Sequence, residues 1–205
     1  MTPTAIKENK DGWTYVHGSS PGVGDEPGPT VIYWRPGLHV VKNEEGYLRA
    51  LINGLELAVA DSLRRSDNKT GKYNVLIDTT NFKIANVGGV NQVKRAFRVL
   101  KDHFPDRLSH VFMTNLGGPA QIFLKILTQF IDKDVRDKFH IVPNDPQATV
   151  EALRPFLGDS IPTWLGGNDA FSFSTETYYN SMPKSMFTTD EEGLRYLESL
   201  PYHGP

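Results

Sequence analysis

The sequence predicts an α/β protein built on a largely parallel sheet, and three observations carry that reading. Strand-like and helix-like segments alternate along most of the 205 residues, the pattern of helices layered on a sheet. The run Val75-Leu76-Ile77 is continuously apolar and ends in Asp78, as in a strand covered on both faces. Each strand-like run is separated from the next by a helical segment long enough for a right-handed crossover between parallel neighbours.

The elements follow in order. Residues 1–29 end in "HGSSPGVGDEPGP", whose Gly, Pro and Ser density predicts an irregular arm. "TVIYW", residues 30–34, is β-branched and aromatic and is halted by Arg35-Pro36-Gly37, which predicts a short edge strand. Tyr47, Leu48, Leu51, Ile52, Leu55, Val59 and Leu63 recur at steps of three and four, predicting a first long helix over 43–63. The strand around Val75 comes next, and Val90, Val93, Phe97, Leu100 and Phe104 then mark a second helix with Lys94, Arg95, Arg98 and Lys101 between them.

Pro105 ends that helix, because a proline disfavours helical geometry in the residue before it. "HVFMTN" (110–115) predicts a further strand, "AQIFLKILTQFID" (120–132) a helix, "FHIVP" a strand, "ATVEALRPFLG" a short helix and "IPTWLGG" an extended exit. Residues 169–205 are rich in aromatic side chains expected to dock on the body, and 189–200 carry a Thr189 or Asp190 cap and a leucine spacing that predict a terminal helix.

Composition narrows the function classes. A chain with 39% hydrophobic and 22% charged residues belongs with folded globular proteins rather than disordered ones. Its net charge of −2, with scattered basic residues, offers no broad basic face for nucleic acid. The absence of cysteine excludes disulfides, thiolate catalysis and zinc-thiolate sites and suits a reducing compartment. The first residues lack the apolar stretch of a signal peptide, and no segment approaches the roughly 20 apolar residues of a membrane span. A cytoplasmic protein is expected.

Chemical motifs are few. "GSSPGVGD" lacks the Lys and hydroxyl ending of a phosphate loop. The six histidines do not fall at metal-ligand spacing. Asp78 stands at a strand end, where it is either an acid of an α/β enzyme or a loop cap. The most unusual segment is "IFLKILTQFI", residues 122–131, whose apolar residues span an arc of roughly 200° at about 100° per residue. A helix on one sheet face needs an apolar stripe nearer ~100°. Such a helix is either wedged between the sheet and a second element, or serves as a lid over an apolar cavity or a membrane-touching face.

The stretch "FPDRLSHVFMTNLGGPAQIFLKILTQFIDKDVRDKFHIV" with "LRPFLGDSIPTWLGG" resembles the CRAL-TRIO lipid-binding domain of Sec14-like proteins. The resemblance lies in an aromatic-Pro-acid-Arg-Leu corner, an apolar strand ending in Asn, an apolar gate helix, a Lys-led strand entry and a closing glycine pair. It covers roughly residues 30–168, with 1–29 as arm and 169–205 as extension. It implies a hydrophobic lipid pocket floored by the sheet and closed by a gate helix, with no catalysis, no cofactor and no metal.

Under that resemblance, Phe123, Leu127, Phe130 and Ile131 belong to the gate helix and pocket, and Asp106 and Lys138 are headgroup candidates. The implied ligand is a single hydrophobic lipid, with a phosphoinositide as the named candidate. The implied partner is a membrane surface touched peripherally. The alternative is a protein-interaction module that recruits a partner such as a small GTPase. Departures from the family pattern are Val135 where a hydroxyl is expected, Tyr73 and Val75 where choline-lipid binders carry small hydroxyl residues, and the lack of the small helical domain that usually precedes this fold.

Overall fold

A computed structural model of the chain describes residues 1–182 together with Thr189, Glu191 and Glu192. Five strands form one sheet in the order β1-β2-β3-β4-β5, each beside its sequence neighbour: β1 (Thr14–Ser19), β2 (Thr30–Trp34), β3 (Tyr73–Asp78), β4 (Leu108–Thr114) and β5 (Phe139–Ile141). All pairings are parallel except that of β1 with β2. The expected α/β class with a mostly parallel sheet is therefore the observed one.

Among the described residues there are seven α-helices. The long α2 (Glu44–Arg65) starts where Asn43 accepts the Gly46 amide through its side chain, and it carries Glu44 and Glu45 in its first turn and Arg64 and Arg65 in its last. That is the charge order a helix dipole favours. α3 (Gly89–His103) follows β3, α4 (Gly118–Leu127) and the single-turn α5 (Lys133–Arg136) connect β4 to β5, and α6 (Pro146–Leu157) follows β5. Asp145 caps α6 by accepting the Ala148 amide.

Residues 1–29 are more ordered than their composition predicts. Thr2 caps a short helix, α1 (Pro3–Glu8), with Pro3 at its first position, where a proline's missing N–H costs nothing. Glu8 then accepts hydrogen bonds from the Lys42 and Asn43 amides and lies 2.9 Å from His39 Nε2. Burial raises the Glu8 pKa, but these hydrogen bonds outweigh it and hold the carboxyl below its ordinary value. Thr14, Tyr15 and Val16, a β-branched and aromatic run, pair with Trp34, Tyr33 and Ile32. β2 is consequently interior and not the expected edge strand.

The other differences are at helix ends. The apolar run after β4 leaves the α-helix at Leu127, so Phe130 and Ile131 stand in the turn beyond it. Only one stripe of that helix, Ala120, Phe123 and Leu127, is buried, whereas Ile122 is 64% exposed. The expected extended exit contains a 3₁₀ turn at Thr163–Leu165. In the C-terminal extension, α7 (Thr175–Asn180) and the preceding aromatics pack on the body. The helix expected over 189–200 lies outside the described residues apart from Thr189, Glu191 and Glu192, where Thr189 and Glu192 exchange the hydrogen bonds of a capping box.

Candidate functional site

Alternate residues of a strand point to opposite faces, and here the two faces meet different surroundings. Val31, Tyr33, Leu76 and Phe112 join a close-packed cluster with Leu153 and Leu157 of α6. On the other face, the register sets Ile32 beside Val75 and Val111, and Trp34 beside Ile77 and Met113. These six side chains floor a cavity of about 570 Å³, within the range of small-molecule sites.

The roof comes from α3 and α4. Val93, Phe97 and Leu100, three and four apart on α3, turn toward the sheet, and Phe123 and Leu127 do so from α4. Two polar contacts join the roof elements at the rim. The Lys94 ammonium lies 4.3 Å from the centre of the Phe130 ring, and Lys101 Nζ is 3.5 Å from an Asp132 carboxylate oxygen. Both members of the ion pair are 73% exposed, so it contributes little stability and yields readily.

All six residues expected in the site line this cavity: Asp106, Lys138, Phe123, Leu127, Phe130 and Ile131. Phe123, Leu127 and Ile131 are buried, and Phe130 is half-exposed at the rim. Asp106 and Lys138 share the wall near the starts of β4 and β5, but among the described residues no ion pair joins them. Asp106 sits in the left-handed region at φ 54°, and its carbonyl accepts a hydrogen bond from Lys72 Nζ. Lys138 Nζ donates to the Leu108 carbonyl at 2.8 Å. The lysine is thus anchored to the backbone of the corner that Pro105 begins, and not to the Asp106 carboxylate.

Sequence reasoning missed the other end of the cavity. Thr14 and Trp34 are cross-strand partners in β1 and β2, and both line the cavity with Tyr47 of α2. The Thr14 hydroxyl oxygen and the Trp34 indole nitrogen are fully buried, with no hydrogen-bond partner among the described residues. Burial drives the Tyr47 pKa upward, opposed in part by the hydroxyl's interaction with the same Trp34 indole. Reading residues 1–29 as irregular hid this end, although the Thr-Tyr-Val run was a usable strand signal.

Asp78 is a loop cap. Its carboxylate accepts from the Thr80 amide and hydroxyl and from the Asn115 side chain, and Arg35 Nε approaches at 3.4 Å. Thr80 and Asn115 belong to the turns after β3 and β4 and Arg35 follows β2, so the carboxylate ties three strand ends together. His110 Nδ1 and His140 Nε2 approach to 2.9 Å, but on the packed face beside Phe112 and Phe156. Burial, then His140, then Lys138 push the His110 pKa below its ordinary value. Among the described residues no group of three or more His, Asp or Glu side chains could hold a metal ion, and no helix is long and apolar enough to cross a membrane.

An apolar cavity between a mostly parallel sheet and a roof helix is one thing; a matched sequence pattern is another, and here both are present. The family model described as the CRAL/TRIO domain matches residues 10–167. The chain belongs to the CRAL/TRIO domain family. The matched span takes in β1, so the antiparallel strand is part of the family's domain. Among solved structures, the crystal structure of Sfh5 resembles this one with a TM-score of 0.59 and 18% identity, over 99% of this chain and 69% of that one. At that identity the likeness concerns the fold. The CRAL/TRIO family binds and transfers hydrophobic lipids and is generally not enzymatic.

Proposed function

We propose that this CRAL/TRIO protein holds one hydrophobic lipid in the cavity between the sheet and the α3–α4 roof, and exchanges it at membrane surfaces that it touches peripherally from the cytoplasm. The observation that carries the reading is the cavity itself, about 570 Å³ walled largely by aliphatic and aromatic side chains. Moving a methylene from water into such a space is worth about 0.8 kcal/mol, so a chain of modest length is retained without covalent chemistry. Phe123, Leu127 and Ile131 contact the cargo, and half-exposed Phe130 meets the bilayer when the roof lifts.

The finer version of the proposal has an anionic headgroup at the rim, a phosphoinositide being its named candidate. Lys94, Arg98, Lys101 and Lys138 border the cavity against only Asp106 and Asp132, a positive excess that favours a phosphate. The rival reading, a module that recruits a protein partner such as a small GTPase, gains nothing from Phe171 and Phe173, which among the described residues of the extension pack on the opposite sheet face and do not line the cavity.

The test is mass spectrometry of lipid extracted from the native protein, before and after incubation with phosphatidylcholine vesicles containing phosphatidylinositol. One bound lipid per chain is expected; protein that carries none and acquires none rules the proposal out. For the headgroup version, Lys138→Ala is expected to weaken phosphatidylinositol uptake several-fold. Unchanged uptake would return Lys138 to a purely structural role.

A further inference from the structure

The edge of a sheet presents a row of unpaired backbone groups, a template on which another chain can pair. The two edges of this sheet differ. β5 spans three residues and is followed shortly by Pro143, so it offers little to pair with. β1 spans six, long enough to take a further strand, yet its outward groups are met by side chains. The Thr14 amide donates to Asn9 Oδ1 at 3.1 Å, and the Thr14 carbonyl accepts from Asn9 Nδ2 at 2.7 Å. The Val16 amide donates to the Tyr178 hydroxyl at 2.8 Å, and that hydroxyl turns to the Val16 carbonyl at 3.4 Å. The Ser19 amide donates to Ser160 Oγ at 3.2 Å, and the serine hydroxyl donates to the Ser19 carbonyl at 2.9 Å.

Each side chain therefore answers both the N–H and the C=O of one residue, as an antiparallel strand would. They come from distant parts of the chain: Asn9 closes α1, Ser160 follows α6 and Tyr178 lies on α7. The fold fits each to its place. Gly18 has φ 69°, and a β-carbon there would stand 2.5 Å from Ser160 Oγ, so glycine in the irregular stretch between Val16 and Ser19 is what lets the serine reach the edge. Tyr179, beside Tyr178 on α7, is buried and accepts from Asn9 Nδ2 at 2.8 Å, which holds that amide against Thr14. Burial keeps the Tyr178 pKa above its ordinary value, so its hydroxyl retains the proton that lets it donate as well as accept.

We infer that Asn9, Ser160 and Tyr178 act as a side-chain strand that closes the β1 edge and keeps the chain monomeric; once they withdraw, β1 pairs antiparallel with β1 of a second copy. Such pairing needs only a two-fold axis, because an edge is its own antiparallel partner. The inference rests on the sheet and its edge and is independent of what the cavity holds.

Light scattering on the full chain, from micromolar to millimolar, and amide hydrogen exchange test it. The native protein is expected to be monomeric throughout, with the Val16 and Ser19 amides exchanging slowly although no strand lies beside them. Tyr178→Phe, which keeps the ring and loses the hydroxyl, is expected to speed Val16 exchange about fivefold and to leave Ser19 unchanged. The double variant Ser160→Ala with Tyr178→Phe is expected to dimerise, and adding Val16→Pro, which removes the outward amide and spares the bonds to β2, to restore the monomer. A native dimer, or Val16 exchanging as fast as an unprotected peptide, overturns the inference without any variant. A folded double variant that stays monomeric, or a dimer that persists with Val16→Pro, overturns it as well. If the double variant does not fold, the native measurements and the Tyr178→Phe exchange decide.

Discussion

The two faces of the sheet are made by the same strands, yet one is filled and the other is hollow. Beneath α6, Leu153 and Leu157 are both fully buried against Tyr33, Leu76 and Phe112. Beneath α3, Phe97 and Leu100 are only partly buried, because they look into the cavity. Apolar alternation is equally strong on both sides. What differs is how closely the covering helix approaches, and hence whether an apolar side chain serves the fold or is left available to a ligand.

The sharpest way to break this contrast is a matched pair of truncations. Leu153→Ala is expected to cost 2–5 kcal/mol, about the range for a fully buried leucine, while leaving ligand uptake intact. Phe97→Ala is expected to cost only about 1 kcal/mol, because the ring already borders empty space, and to alter ligand affinity instead. Urea denaturation of both variants checks the order. If Phe97→Ala proves as costly as Leu153→Ala, the hollow face is packed in solution.

A smaller effect is expected from the histidine pair on the filled face. His110 titrates below its unfolded value near 6.5, so the unfolded chain binds more protons between the two values and stability rises with pH across that window. Stability is then complete above about pH 6.5 and declines as pH falls toward the folded pKa. His110→Gln should flatten this part of the urea-midpoint profile; an unchanged slope would mean that other groups produce it. The smallest stability change, within about 0.5 kcal/mol, is expected for Phe130→Ala at the rim, since the ring is already half-exposed. Slower lipid transfer with an unchanged denaturation midpoint would set the rim apart from both faces.

The parallel strands and long helices were legible because their apolar residues repeat with periods of two and of three to four, and caps such as Asn43 and Asp145 sit where those periods begin. The gate segment was legible as apolar but not as divided. Only packing reveals that Leu127 ends the helix and that Ile122 faces water. Asp106 and Lys138 were placed on one wall by the family pattern, yet the bonds from Lys72 to the Asp106 carbonyl and from Lys138 to the Leu108 carbonyl depend on the turn at Asp106, which no spacing encodes. Thr14 and Trp34 were invisible as a pair, since they lie on strands whose register is set by tertiary contacts and not by local pattern.

The ordered sheet has a consequence for how the chain is made. Each strand pairs with the one before it, so every parallel pairing must wait for one crossover to close, the slow step of such sheets. The surface of β1 is the exception. Tyr178 accepts a hydrogen bond from the Val16 amide, Tyr179 accepts one from Asn9, and Phe171 stacks on His17. β2 and α2 cover one edge and one face of that strand early, but its outer edge at Val16 waits for Tyr178, 162 residues further on. During synthesis that edge is exposed surface that a nascent chain must shield, and residues 171–179 are the ones that cover it.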